Sequence, residues 1–196
     1  LGDVYKRQRL EIKNMRLLTF IFIFVFNLNF TYAEQNEEKV PTATTKQFRD
    51  WTLRCVTENK KQKCEIVQFL QVKNLNLQFT VVYSEFLNNK NELKELINII
   101  TPLGVNVQRP ASINFHKGTA VNLPFIKCEV VGCIISISND TTDPAIESLF
   151  KQIKEAMKKS IYFEILVDGF REKPFLIKSS LQGFEDALTE FEKQKN

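Results

Sequence analysis

The sequence predicts a mainly β fold, an antiparallel β-sandwich with one amphipathic helix over about residues 144–159 and a short helix at the C-terminus. Three observations carry that expectation. About ten short runs rich in β-branched and aromatic residues follow one another, each bounded by Gly, Pro, Asn or Asp. Only two stretches are read as helices from apolar residues at helical spacing. The four cysteines fall as two sequence-local pairs, Cys55 with Cys64 and Cys128 with Cys133, each across a short reversal of the chain. A βαβ protein would instead alternate strands with helices of ten or more residues.

The front of the chain carries much of the basic excess of the whole sequence. Residues 1–14 show neither helical nor strand periodicity and are expected to be an upstream or artefactual leader, with Met15 as the start. Arg16, the apolar stretch Leu17–Phe26 and Thr31-Tyr32-Ala33 then give the charged, apolar and small-residue regions of a signal peptide over 15–33, cleaved after Ala33. An apolar core of this length falls short of the ~20 residues that span a bilayer, so the mature chain is expected to have no transmembrane segment. Glu34 follows the cleavage site, where a lipid-modified terminus would need Cys.

Removing residues 1–33 takes away five basic and two acidic side chains, so 27 basic residues fall to 22 and 23 acidic residues to 21. A net charge of +1 gives no broad counterion-releasing surface, which argues against nucleic acid as a partner. What remains is enough for one domain with a substantial core. Residues 34–47, charged and then Pro/Thr-rich, are expected to be a flexible tether, with a single domain over 48–196.

Taken in order, an apolar run from Phe48 to Val56 is followed by a lysine-rich turn over 57–62 and a return strand from Cys64 to Val72. Cys55 and Cys64 sit at mirror positions about that turn. Phe79–Phe86 is the clearest third strand. Leu93–Ile100 fits both helical and strand templates and is read as strand because it runs into Thr101-Pro102. Short strands are expected at Val105–Gln108, Ser112–Phe115 and Ala120–Leu123, then a hairpin turning through Glu129–Gly132. Asp143 as N-cap and Pro144 at the first helical position open the amphipathic helix, whose apolar positions are Ile146, Leu149, Phe150, Ile153 and Met157. Ile161–Val167 and Phe175–Ser179 form a further hairpin, and Phe184, Ala187, Leu188 and Phe191 a closing helix.

At this point several residues in fixed order carry a resemblance: Phe48 with Asp50-Trp51 and Cys55, Cys64 and Gln68, Pro102-Leu103-Gly104-Val105, Pro124-Phe125 with Cys128, Gly132 and Cys133, and Ser180-Leu181 with Gly183-Phe184 and Ala187. The combination, spanning Phe48 to Phe191, resembles the invasion-associated locus B (IalB) family of exported proteins from Gram-negative bacteria. That resemblance implies a periplasmic or envelope-associated β-sandwich, linked in pathogenic members to host-cell invasion. The chain differs from the usual pattern in its Asn/Lys-rich loops, its long helix near 144–159 and its scarcity of glycine.

In an oxidising compartment four cysteines behind a signal peptide point to disulfides, and the two local pairs are the easiest of three connectivities to close. A zinc site using all four cysteines as ligands would lack the C-x2-C knuckle, and a redox pair lacks the helix N-terminus that lowers a thiol's pKa. Catalytic signals are sparse. His116 is the sole histidine and could act as a base only with Asp140 or Asp143, and no Ser or Cys nucleophile stands in a recognisable turn. No cofactor motif is present.

The functional expectation is therefore a non-enzymatic exported protein without cofactor. It is placed in the periplasm, with the outer membrane or the medium as further destinations. Its expected partner is an unidentified envelope or extracellular protein. Phe115, His116, Phe125 and Phe170, near proposed turns, are the candidate binding residues. The alternatives are an enzyme with a site on the sandwich-end loops around His116, and a structural factor for envelope integrity.

Overall fold

A computed structural model describes residues 42–58, 61–72, 77–116, 120–169 and 173–194 of the chain. The expected leader, the signal peptide with its cleavage site, and residues 34–41 of the expected tether lie outside the described residues.

Eleven strands are described: β1 (Thr42–Phe48), β2 (Trp51–Glu58), β3 (Lys61–Val72), β4 (Leu77–Leu87), β5 (Leu93–Thr101), β6 (Ala111–Phe115), β7 (Ala120–Leu123), β8 (Phe125–Glu129), β9 (Gly132–Ser138), β10 (Tyr162–Val167) and β11 (Phe175–Ser180). Two helices accompany them, α1 (Pro144–Lys159) and α2 (Phe184–Lys193). One sheet runs β1-β2-β3-β4-β5-β9-β8 and the other β11-β10-β6-β7. Every pairing is antiparallel. This is the sandwich the sequence predicts.

Alternation explains which faces meet. Trp51, Leu53 and Cys55 of β2, Phe79, Val81 and Tyr83 of β4, Ile97 and Ile99 of β5, and Ile135 and Ile137 of β9 are buried at two-residue spacing. They join Ile113, Phe115, Phe163, Ile165 and Ile177 of the smaller sheet in one core. The smaller sheet does not cover the whole inner face. The helices complete the second layer: Phe150, Ile153 and Met157 of α1, and Phe184, Ala187, Leu188 and Phe191 of α2, enter the same core.

α1 begins where the sequence places it. The Asp143 carboxylate accepts from the Ala145 N–H at 2.8 Å, Pro144 occupies the first turn, and Lys158 and Lys159 stand at the negative end of the helix dipole. Lys154 pairs with Glu95 at 2.8 Å and ties the helix to β5.

Three expectations need correction. The sheet takes up the chain at Thr42, so residues 42–47 are strand and not tether; β1 is an edge strand exposed along most of its length, so Thr, Lys and Gln serve it without an apolar period. The reversal between β2 and β3 is tighter than 57–62, because the ladder runs out to Glu58↔Lys61. Val105–Gln108 is not a strand. Val105 alone bridges to Gly169, and Asn106 then folds the chain back, its side-chain oxygen accepting from the Gln108 N–H at 3.2 Å and its carbonyl from the Arg109 N–H at 3.2 Å.

The two ends of the domain are bound to each other. Arg49, at φ 52, turns β1 into β2, and the Asp50 N–H reaches the Gln182 carbonyl at 3.4 Å. The Trp51 indole N–H donates to the Ser180 carbonyl at 2.9 Å. Buried Gln68 donates through its amide to the same carbonyl at 2.9 Å and to the Asp50 carbonyl at 3.2 Å, while accepting from the Ser179 hydroxyl at 2.6 Å. A buried amide satisfied on both its oxygen and nitrogen sides fixes three segments at once. On the outside, Lys46 pairs with Glu190 at 2.8 Å, and this bond, followed by that from Lys193, holds the Glu190 carboxyl below its ordinary pKa.

Tyr83 is fully buried against Phe184 and Phe191, in edge-to-face contacts with ring centroids 6.0 and 5.5 Å away. Among the described residues its hydroxyl has no hydrogen-bond partner by distance and angle, although the Glu95 carboxylate is close enough to act on its titration. Burial first, and then the Glu95 charge, push the phenol's pKa up. A raised folded-state pKa contributes stability that is complete below the unfolded phenol's value of about 10 and is lost as pH rises beyond it. Tyr83→Phe is therefore expected to be neutral or to stabilise by up to about 1 kcal/mol at pH 7, and to flatten the loss of stability above pH ~10. Urea unfolding at the two pH values checks both, and a loss above ~1 kcal/mol at neutral pH would mean that the hydroxyl is bonded.

Candidate binding surface

The cysteines fall on facing strands. Cys55 stands opposite Cys64 in the β2–β3 register and Cys128 opposite Cys133 in β8–β9, with S–S distances of 2.10 and 2.01 Å. Both pairs are at disulfide distance, and no cysteine is left over. The β9 end of the second hairpin is further fixed by Gly132, where an added Cβ would lie 2.0 Å from the Thr101 carbonyl oxygen. In the chain-entropy account each bridge closes a short loop and stabilises by about 2–3 kcal/mol. Cys55→Ala/Cys64→Ala and Cys128→Ala/Cys133→Ala are each expected to cost that amount, with nearly additive effects because the hairpins share no strand. Denaturant unfolding of the two double variants and their combination measures it.

The four candidate binding residues part company. Phe115 is buried and packs on Phe163 with centroids 5.4 Å apart, so it is a core residue and not a surface one. Its place next to a turn misleads because β6 still points it inward. Phe125 is half-buried and packs against the core at the start of β8. Phe170 lies outside the described residues. His116 is half-buried; its backbone N–H donates to the Tyr162 carbonyl at 3.1 Å and its ring lies 4.7 Å from that of Tyr162. Asp140 and Asp143 are engaged elsewhere, by Asn88 and by the α1 N-terminus. Among the described residues no group of three or more His, Cys, Asp or Glu side chains is placed to hold a metal ion.

His116 leads to an open groove on the surface. Lys178 of β11 also meets this tyrosine, its ammonium 3.4 Å from the centre of the Tyr162 ring, a cation–π contact. Beyond Lys178 a groove of about 470 Å³ opens between Phe69–Val72 of β3 and Leu176–Lys178 of β11. That volume is within the range of ligand sites. Its walls include Phe69 and Leu176, which are 53 % and 59 % exposed. A second void, lined by Ile97, Ile113, Ile135, Met157 and Phe163, has only about 10 Å³ and belongs to the core.

The groove arises from strand lengths. β2 begins at Trp51, so its ladder with β3 ends at Thr52↔Val67, whereas β3 continues beside β4 through Phe69↔Thr80 to Val72↔Leu77. Among the described residues β11 is the outermost strand of its sheet and pairs only with β10. Among the described residues the groove thus has walls of mixed apolar and polar character, with no ladder partner for Phe69–Val72 away from β4 or for β11 away from β10. The sequence does hold a signal for it: Ile66 to Val72 carries apolar residues on both faces of the strand, which a half-buried strand does not need.

Disulfide-pinned hairpins, two antiparallel sheets and two helices sharing one core define an antiparallel β-sandwich whose accessible feature is a groove between its sheets. The family model described as "Invasion associated locus B (IalB) protein" matches residues 51–192, and the chain belongs to that family. Among solved structures it is similar to the crystal structure of invasion associated protein B from Bartonella henselae, with 20 % identity and a TM-score of 0.56 over 78 % of this chain and 97 % of that one. No curated protein matches it.

Proposed function

We propose that the chain is exported behind a signal peptide cleaved after Ala33 and works in the periplasm or envelope as a non-enzymatic binding protein, its partner an envelope protein or, in a host-associated organism, a host component. The observation that carries the binding role is the open groove between β3 and β11, beside the surface on which His116 meets the Tyr162 ring. Family membership and two cysteine pairs at disulfide distance support the compartment. No helix among the described residues is long and apolar enough to cross a membrane.

Intact mass after expression with the leader, with and without reductant, tests the export half. The expected species begins at Glu34 and gains four thiols only on reduction. A cytoplasmic, full-length, four-thiol species would refute it. The binding half is tested by crosslinking capture from the envelope fraction followed by reconstitution with the purified partner, and failure to obtain any reconstituted complex refutes that half.

A further inference from the structure

Resting on the binding role just proposed, we infer that the β3–β11 groove accepts an extended polypeptide segment of a partner protein, which adds as a strand alongside Phe69–Val72. The chemistry of the walls selects this occupant. Phe69–Val72 pair with β4 on one side, and on the other they lie beyond the reach of β2. A strand edge presents backbone N–H and C=O groups at two-residue intervals, and an extended peptide answers that row with the same spacing. A guest in line with β2 and antiparallel to β3 continues the large sheet where β2 leaves it. Its alternate side chains then fall on Leu70, Val72 and Ile177 on the inner side and beside Phe69 on the outer.

The other edges of the large sheet are guarded and these are not. β1 carries Lys46, engaged with Glu190, and β8 is broken by a register shift between Phe125 and Lys127. Lysines and bulges on an edge discourage strand addition. The Phe69-Leu70-Gln71-Val72 segment has neither, and Lys178 on β11 is drawn over the Tyr162 ring. A second copy of the chain is a poor donor for the same reason, since a concave groove cannot fill itself and the edges of the large sheet that would have to enter it are the guarded ones.

The test selects linear peptides of about ten residues by phage display on the purified chain and compares binding to the chain and to Phe69→Lys/Leu176→Lys. Both residues are mostly exposed, so the variant is expected to keep the far-UV spectrum and unfolding midpoint of the parent. Selected peptides are expected to carry apolar residues at every second position and to lose affinity about tenfold or more in the variant. On the unaltered chain they are expected to slow amide hydrogen exchange across residues 69–72, a readout that stands even if the variant misfolds. Peptides without alternation, unchanged affinity in a folded variant, protection on β1 or β8 instead, or no selected peptide would each overturn the inference. So would a concentration-dependent dimer abolished by the variant, which would make a second copy the occupant. If the envelope complex forms equally well with the folded double variant, the binding role stands and the groove assignment falls.

Discussion

Gly183→Ala is expected to cost about 2–5 kcal/mol, enough to leave a domain of this size marginal or unfolded. Gly183 sits at φ 90, immediately before α2, and an alanine Cβ there would lie 2.1 Å from the Phe48 carbonyl oxygen and 3.1 Å from the Arg49 Cβ. The left-handed backbone alone costs an L-residue roughly 1–2 kcal/mol. The rest of the expected loss is steric, because the atom in the way is backbone at the turn into β2 and cannot swing aside. Relief requires the β1–β2 turn to back away from α2, which would strain the Asp50–Gln182 contact. Chemical denaturation reads the effect directly. A loss confined to about 1 kcal/mol would mean that only the left-handed backbone is felt and that the two ends of the domain are farther apart than described.

Trp51→Ala is expected to cost about 3–5 kcal/mol. The indole is fully buried and meets Phe184 edge-to-face with centroids 4.9 Å apart. Removing it opens a cavity between the first full-length inner strand and the last helix, where Phe184 and Tyr83 are themselves in contact and cannot both collapse into the space. The indole N–H adds a separable part. Trp51→Phe keeps most of the apolar surface and loses only the bond to Ser180, whose carbonyl still accepts from Gln68, so its cost is expected to be nearer ~1–2 kcal/mol. The comparison is made by urea unfolding followed by far-UV circular dichroism, since Trp51 is the chain's one tryptophan and fluorescence is lost with it. Equal losses in the two variants would put the whole effect in the hydrogen bond.

Much of this architecture is legible in the amino-acid order because the local signals agree with the tertiary demand. Asp143-Pro144 followed by apolar residues at helical spacing leaves little choice for α1, and Leu93–Ile100, ambiguous by period, resolves as β5 because Thr101-Pro102 closes it. β1 is not legible. An edge strand that pairs on one side and buries almost nothing leaves no apolar period, and its Thr-rich composition reads equally well as a linker. Phe115 shows the limit for sites: nearness to a turn says nothing about which face of a short strand a side chain takes. The groove is a step further removed, since it depends on β3 outrunning β2 and on which strand of the smaller sheet comes to rest beside the overhang. Both are facts of register and layer order, set by long-range packing; the local pattern marks Ile66–Val72 as apolar on both faces but does not place the groove.

The bond between the Trp51 turn and the Ser180–Phe184 segment has a bearing on biogenesis. A chain made from its amino end offers its first strands long before α2 arrives, and Trp51 and Tyr83 are covered only when Phe184 and Phe191 pack on them. A product that lacks α2 is thus expected to be open to proteases at the position where the folded domain is shut.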